Sequence, residues 1–169
     1  MRPVLIHWPL FAAIASALML AAAHAFETFG HYPPCELCLK QRTVYWVALA
    51  VGLVGYAAVR LVKRPLVPSL AALVLVPIFL WGAWLAAYHA GVEWHWWPGP
   101  RACTGTAPAT TSGIADLLKG GGVRRPACDV AAWRMLGISM AGYNTLISLA
   151  LSLVSLRAVG ARRRSLELA

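Results

Sequence analysis

Charge is what this sequence has least of. Charged residues fill 12% of its 169 positions, against about 25% in an average soluble domain. Residues 4–26, 43–59, 65–92 and 135–156 contain no Asp, Glu, Lys or Arg at all. That absence excludes an ordinary water-soluble fold. A helix rising about 1.5 Å per residue needs about 20 apolar residues to cross a bilayer core, so the four runs predict four membrane-crossing helices. The same absence argues against a transporter or channel, because such pathways bury ionisable groups. Asn144, Ser148, Ser152 and Ser155 in the fourth run suit helix contacts better than a transport path.

Other absences narrow the chemistry. Cys35 and Cys38 form a Cys-x-x-Cys pair, but residue 39 is leucine, whereas a c-type haem needs histidine there. No alternating strand-and-helix pattern surrounds the pair, which excludes a thioredoxin unit. No second tight Cys or His pair follows, and a structural zinc site normally has two. Cys103 and Cys128 stand alone, separated by 24 residues. A metal site therefore fits poorly.

The expected architecture is an all-α, four-helix membrane bundle forming a single domain over residues 1–169. The spans are expected at about 5–26, 38–59, 66–89 and 136–157, with external loops at about 27–37 and 90–135. The second charge-free run has only 17 residues, so its helix should begin a turn earlier, near residues 35–39, just after Pro33 and Pro34. Ile114, Leu117 and Leu118 have the spacing of a short amphipathic helix lying on the membrane. Glu93 to Pro100, "EWHWWPGP", reads as an aromatic belt at headgroup level. Gly52 and Gly55 are expected to allow close helix packing. Ala23-His24-Ala25 imitates a signal-peptide cleavage site, but the preceding apolar stretch is longer than such peptides carry. Cys35 faces the same side of the membrane either way.

Lysine and arginine set the orientation. Arg2, Arg60, Lys63, Arg64, Arg157 and Arg162 to Arg164 crowd into short segments on one side. The seven on the other side are mostly spread over the long connection. The positive-inside rule then puts both termini in the cytoplasm. The net charge of +9 belongs to topology and lipid contact, with no nucleic-acid partner implied.

All four cysteines then share the external side. Of the three possible pairings, local geometry favours Cys35–Cys38 and Cys103–Cys128. The first closes almost no loop and so adds little stability; such pairs are more often redox centres. A helix N-terminus lowers a cysteine pKa, and Arg42 lies one turn beyond Cys38 on the same face. Arg42 reads either as a partner for that thiolate and for the carbonyl oxygen of a bound ring, or as an interfacial anchor. For Cys103–Cys128, a structural staple and a functional bridge both stand.

"PPCELCLKQR" between the first two runs, the single Cys103 and Cys128, and "CDVAAWRMLGISM" leading into the fourth run resemble the disulfide bond formation protein B (DsbB) family. The resemblance covers nearly the whole chain. The vitamin K epoxide reductase family shares this architecture but places its loop cysteines before its membrane Cys-x-x-Cys, the reverse of the order here. The DsbB resemblance implies a bacterial inner-membrane protein-dithiol:quinone oxidoreductase. It would re-oxidise a periplasmic thioredoxin-fold thiol oxidase (DsbA-like) and pass two electrons to ubiquinone or menaquinone. Carried over by position, Cys103 would be the sulfur attacked by the partner, and Cys128 would exchange with Cys35. Cys38 would meet the quinone beside Arg42. His89, at the external end of the third span, would lie near the quinone head or donate a proton, or be an interfacial residue. Trp133 resembles a position near the redox centre. The competing readings are a membrane scaffold with structural disulfides and a family variant serving one dedicated partner.

Overall fold

The computed structural model describes residues 7–62, 64, 66–100 and 127–167. Four long helices dominate: α1 (Trp8–Thr28), α2 (Glu36–Val62), α3 (Val67–Glu93) and α4 (Met140–Glu167). A two-stranded antiparallel hairpin, β1 (Arg134–Met135) and β2 (Ile138–Ser139), precedes α4. Each helix contains a stretch long and apolar enough to cross a bilayer. The protein is a multi-pass membrane protein built as a four-helix bundle. The expected amphipathic helix at Ile114 to Leu118 lies outside the described residues, as does Cys103.

Lipid is as apolar as leucine, so burying apolar area does little to drive these helices together. Close contact between small side chains does more. Ala12, Ala13 and Ser16 of α1 are buried, as are Ala48 and Gly52 of α2. A Cβ on Gly52 would sit 2.7 Å from the Pro9 carbonyl oxygen and 2.9 Å from the Ala13 Cβ, so this glycine sets how near α1 and α2 approach. Gly52→Ala is therefore expected to destabilise the bundle by about 1–3 kcal/mol, as overpacking does. The measurement is thermal unfolding in detergent; an unchanged midpoint would show that the two helices part freely.

α3 packs most extensively on α4, α2 joins α1 to α3, and α1 meets α4 only slightly. One link closes that last gap: Trp8 Nε1 donates to Ser155 Oγ at 2.9 Å, buried. Ser152 Oγ donates to the Val76 carbonyl at 3.2 Å. The polar side chains of α4 thus serve helix contacts, as expected of them.

Two local devices shape the cysteine end. Cys35 caps α2: its sulfur accepts from the Cys38 amide at 3.2 Å, and its carbonyl accepts from the Leu39 amide at 3.1 Å. Ser139 caps α4, accepting from the Gly142 amide at 3.2 Å. The hairpin before it turns through Leu136 (φ 51°) and Gly137 (φ 79°). Positive φ at both central residues is the type I′ turn that two-residue hairpins favour. Because residues 134–139 are occupied by this hairpin, α4 starts at Met140.

The aromatic segment after α3 folds back onto it. Trp97 Nε1 donates to the Tyr88 carbonyl at 2.9 Å, and the Trp97 ring lies over Gly91, where any Cβ would collide with it. Trp81, Trp84, Tyr88 and Trp97 stack in sequence with centroids 4.8, 6.1 and 5.9 Å apart. The stack leaves Trp81, Trp84 and Trp97 exposed to lipid and headgroups.

Candidate functional site

The first turn of α2 carries the Cys-x-x-Cys pair. The Cys35 sulfur donates to the Cys38 sulfur at 2.7 Å, and both are free thiols. The favoured Cys35–Cys38 pairing is thus not closed here, although its two sulfurs face one another. The bond to Cys38 and the burial of its side chain push the Cys35 thiol well above the usual range. Cys35 therefore holds the proton and Cys38 receives the hydrogen bond.

Cys128 comes from the far end of the long connection, yet packs with Cys35, Leu37, Leu85 and Val92 in one buried cluster. Cys128 is disulfide-bonded. The ligand atoms of Cys35, His89 and Cys128 lie within 4.8 Å of one another. This is the spacing of a metal nest, but a disulfide sulfur offers no thiolate, which leaves too few donors in this state. The same closeness suits thiol–disulfide exchange, in which a sulfur must reach a disulfide sulfur.

His89 sits behind Cys35. Its Nε2 is 3.7 Å from the Cys35 sulfur and 3.8 Å from Glu93 Oε1, and its Nδ1 is 2.9 Å from Gln41 Nε2. The ring also hydrogen-bonds the Cys128 backbone. The imidazole is buried and touches both halves of the cysteine cluster. Glu93, the last residue of α3, is buried too. It bonds the Ser139 cap and lies in the field of Arg134, while Oε2 has no partner.

Arg42 lies one turn beyond Cys38. Nη1 pairs with Glu27 Oε2 at 2.5 Å and Nη2 donates to the Ala23 carbonyl at 3.1 Å, both on α1. Its side chain is 14% exposed. The guanidinium is held against α1 by these contacts and does not reach into solvent as a snorkelling anchor does. Lys40, on the opposite face, pairs with Glu36 at 2.8 Å and is exposed. Trp133 packs between Phe26 of α1 (5.4 Å) and Tyr143 of α4 (6.2 Å), closing the bundle near the hairpin.

The structure therefore gathers Cys35, Cys38, Cys128 and His89 at one end of the bundle, with Arg42 next to Cys38 on α2. Several residues of this end escape a sequence reading. Gln41 sits inside the quoted motif but has no charge to draw notice. Asn144, expected to serve helix contacts, does so, but its bond to Gln41 is not visible in the sequence. Glu93 is hidden at the head of the aromatic segment, and Glu27 lies just past the first run.

Comparison with known proteins bears on this site. A family model described as disulfide bond formation protein DsbB matches residues 6–158. A disulfide bond formation protein B of Dechloromonas aromatica is 30% identical over 138 residues, covering 76% of each chain. A second, from a Polaromonas species, is 30% identical over 155 residues, covering 83% of this chain and 86% of its own. An uncharacterised protein of Rickettsia prowazekii is 30% identical over 139 residues, covering 80% and 77%.

Proposed function

From the premise that the chain belongs to the disulfide bond formation protein DsbB family, membrane oxidoreductases of disulfide bond formation, we propose that it re-oxidises a periplasmic thioredoxin-fold thiol oxidase and delivers the electrons to a membrane quinone. The observation that carries this reading is the clustering of sulfurs at the start of α2. Cys35 lies 2.7 Å from Cys38 and within 4.8 Å of Cys128.

The exchange runs through two disulfides, Cys103–Cys128 and Cys35–Cys38. The partner's thiolate attacks the Cys103 sulfur and Cys128 leaves as a thiolate. The partner's second thiolate then breaks the mixed disulfide, so the partner departs oxidised with the Cys103–Cys128 pair reduced. Cys128 next attacks the Cys35 sulfur of the Cys35–Cys38 disulfide, and Cys38 leaves as a thiolate. Attack by Cys103 on Cys128 restores the first disulfide and leaves Cys35 and Cys38 reduced. Two electrons and two protons have then moved from the partner to the membrane face.

The residues around Cys38 fit a quinone by their chemistry: a nucleophilic sulfur and a guanidinium lie one turn apart, at the depth a bilayer-dissolved ring can reach. What a quinone supplies there is a two-electron, two-proton acceptor of higher potential than the cysteine pairs. Arg42 is the group that would bind a ring oxygen; Glu27 and Ala23 each accept from it, which fixes the orientation of the guanidinium. His89 is the buried ring nearest Cys35 and is suited to donate to a sulfur or to an oxygen at this site. The external face of this arrangement is the periplasm of a bacterial inner membrane, with both termini cytoplasmic.

Arg42→Ala is expected to raise the apparent KM for quinone several-fold, with a smaller effect on kcat. Quinone titrations at saturating donor test this. An unchanged KM would return Arg42 to a purely structural role against Glu27.

A further inference from the structure

Behind the cysteines, a chain of buried polar side chains links three helices. The Tyr45 hydroxyl donates to Asn144 Oδ1, and Ser148 Oγ donates to the same oxygen at 3.2 Å. Asn144 Nδ2 donates to Gln41 Oε1 at 2.5 Å. Gln41 Nε2 faces His89 Nδ1 at 2.9 Å. Every member is buried, from Ser148 at 1% exposure to Asn144 at 8%, where a mismatched polar group is costly.

Such a chain has a direction. An amide oxygen only accepts and an amide nitrogen only donates, whereas a neutral imidazole has one of each. The His89 end sets the polarity. The Cys128 backbone hydrogen-bonds the ring. Its Nε2 faces Glu93 Oε1 at 3.8 Å and the Cys35 sulfur at 3.7 Å. With the carboxylate oxygen on that side, Nε2 carries the proton, which leaves a lone pair on Nδ1. That lone pair needs a donor, and Gln41 Nε2 is the atom present. Gln41 Oε1 must then find a donor in Asn144 Nδ2, and Asn144 Oδ1 collects the two hydroxyls. Each link agrees with the next over residues that lie 103 positions apart.

We propose that Gln41 and Asn144 are positioning residues that hold His89 as its Nε2–H tautomer. The ring then faces the Cys35 sulfur as a hydrogen-bond donor and not as a proton acceptor. The proposal rests on the reading of Cys35 as the sulfur attacked in the inter-loop step. During that attack negative charge spreads over the exchanging sulfurs, and a fixed N–H beside Cys35 stabilises it without taking a proton. A tautomer left to choose would present a lone pair to Cys35 for part of the time, and repel that charge. The amide chain removes the choice by placing a donor where Nδ1 must accept.

The test is nitrogen NMR of ¹⁵N-histidine-labelled full-length protein in detergent, with the His89 signals identified by their loss in His89→Asn. The expected result is a protonated Nε2 and an unprotonated Nδ1 in the wild type. In Gln41→Glu, a carboxylate replaces the amide donor, and the unprotonated Nδ1 signal should be lost as that nitrogen takes a proton. Asn144→Leu removes the group that orients Gln41 and should give a mixture of tautomers. A wild-type His89 protonated at Nδ1 overturns the proposal, and so does a pattern unchanged in Gln41→Glu. The wild-type spectrum decides even if a variant fails to fold. Because it is recorded without substrate, its failure is separable from failure of the electron-relay reading, which is judged by turnover.

Discussion

Replacing Cys38 by serine is expected to reduce thiol-dependent quinone reduction to the uncatalysed rate. Serine is nearly the same size, keeps a hydroxyl in place of the thiol, and suits the first turn of a helix, so α2 should form normally. The half-buried site asks for no special packing. What is lost is chemistry. A serine hydroxyl stays protonated at neutral pH and forms no sulfur–sulfur bond, whereas the thiolate is the nucleophile in both exchange and electron transfer. Following quinone absorbance with a reduced thioredoxin-fold donor measures it. Full activity in Cys38→Ser would contradict the proposed route, since no other free thiol among the described residues lies beside Arg42.

Cys35→Ser is expected to stop turnover as well, and its failure can be followed at the donor. The loop disulfide should still oxidise the partner once, in stoichiometric amount, and then stop. Cys128 would have no disulfide to attack, because the sulfur next to it has gone. The fold should tolerate the change well: Cys35 is the cap of α2, its sulfur accepting from the Cys38 amide, and serine is among the best capping residues. Folded protein with one round of oxidation and no turnover is thus the expected outcome, read by thiol counting of the partner over time. Sustained turnover would remove Cys35 from the path. Both variants remove the same disulfide, so both should stop the relay after the loop disulfide has been spent once.

The energetics explain why an acceptor beyond the cysteines is needed. A soluble periplasmic oxidase sits near about −120 mV, whereas a stable structural disulfide lies below about −300 mV. Oxidising the first with the second would be uphill by about 8 kcal/mol for two electrons. A staple would be useless as an oxidant. The buried packing of Cys35 against Cys128 suits disulfide exchange, which the proposed route couples to a quinone.

Much of the fold was legible because bilayer physics is simple. Four stretches free of charge became four helices, and the short second stretch pointed correctly to a helix starting by the Cys-x-x-Cys pair, which begins at Glu36 with Cys35 as its cap. The small glycines pointed to close packing, and Gly52 does abut Pro9 and Ala13. Less was legible at the site. The hairpin at 134–139 escapes because two-residue strands leave no alternation to read. Glu27 against Arg42, and Gln41 against Asn144, are pairings between helices, and spacing along one chain does not reveal which faces meet. Glu93 opens the segment read as an aromatic belt, but it is buried beside His89 and bonded to the cap of α4. Cys103, the proposed point of partner contact, lies outside the described residues; the role proposed for it comes from its place in the family pattern.

The most direct test of the central claim, that these cysteines carry electrons and do not merely staple the chain, is a steady-state assay. The purified wild-type protein in detergent is given quinone and a reduced thioredoxin-fold thiol oxidase, and quinone absorbance is followed. The account predicts many turnovers, strictly dependent on the thiol donor, with the donor recovered as its disulfide. No turnover, with the donor still reduced and Cys128 still in its disulfide, would contradict it.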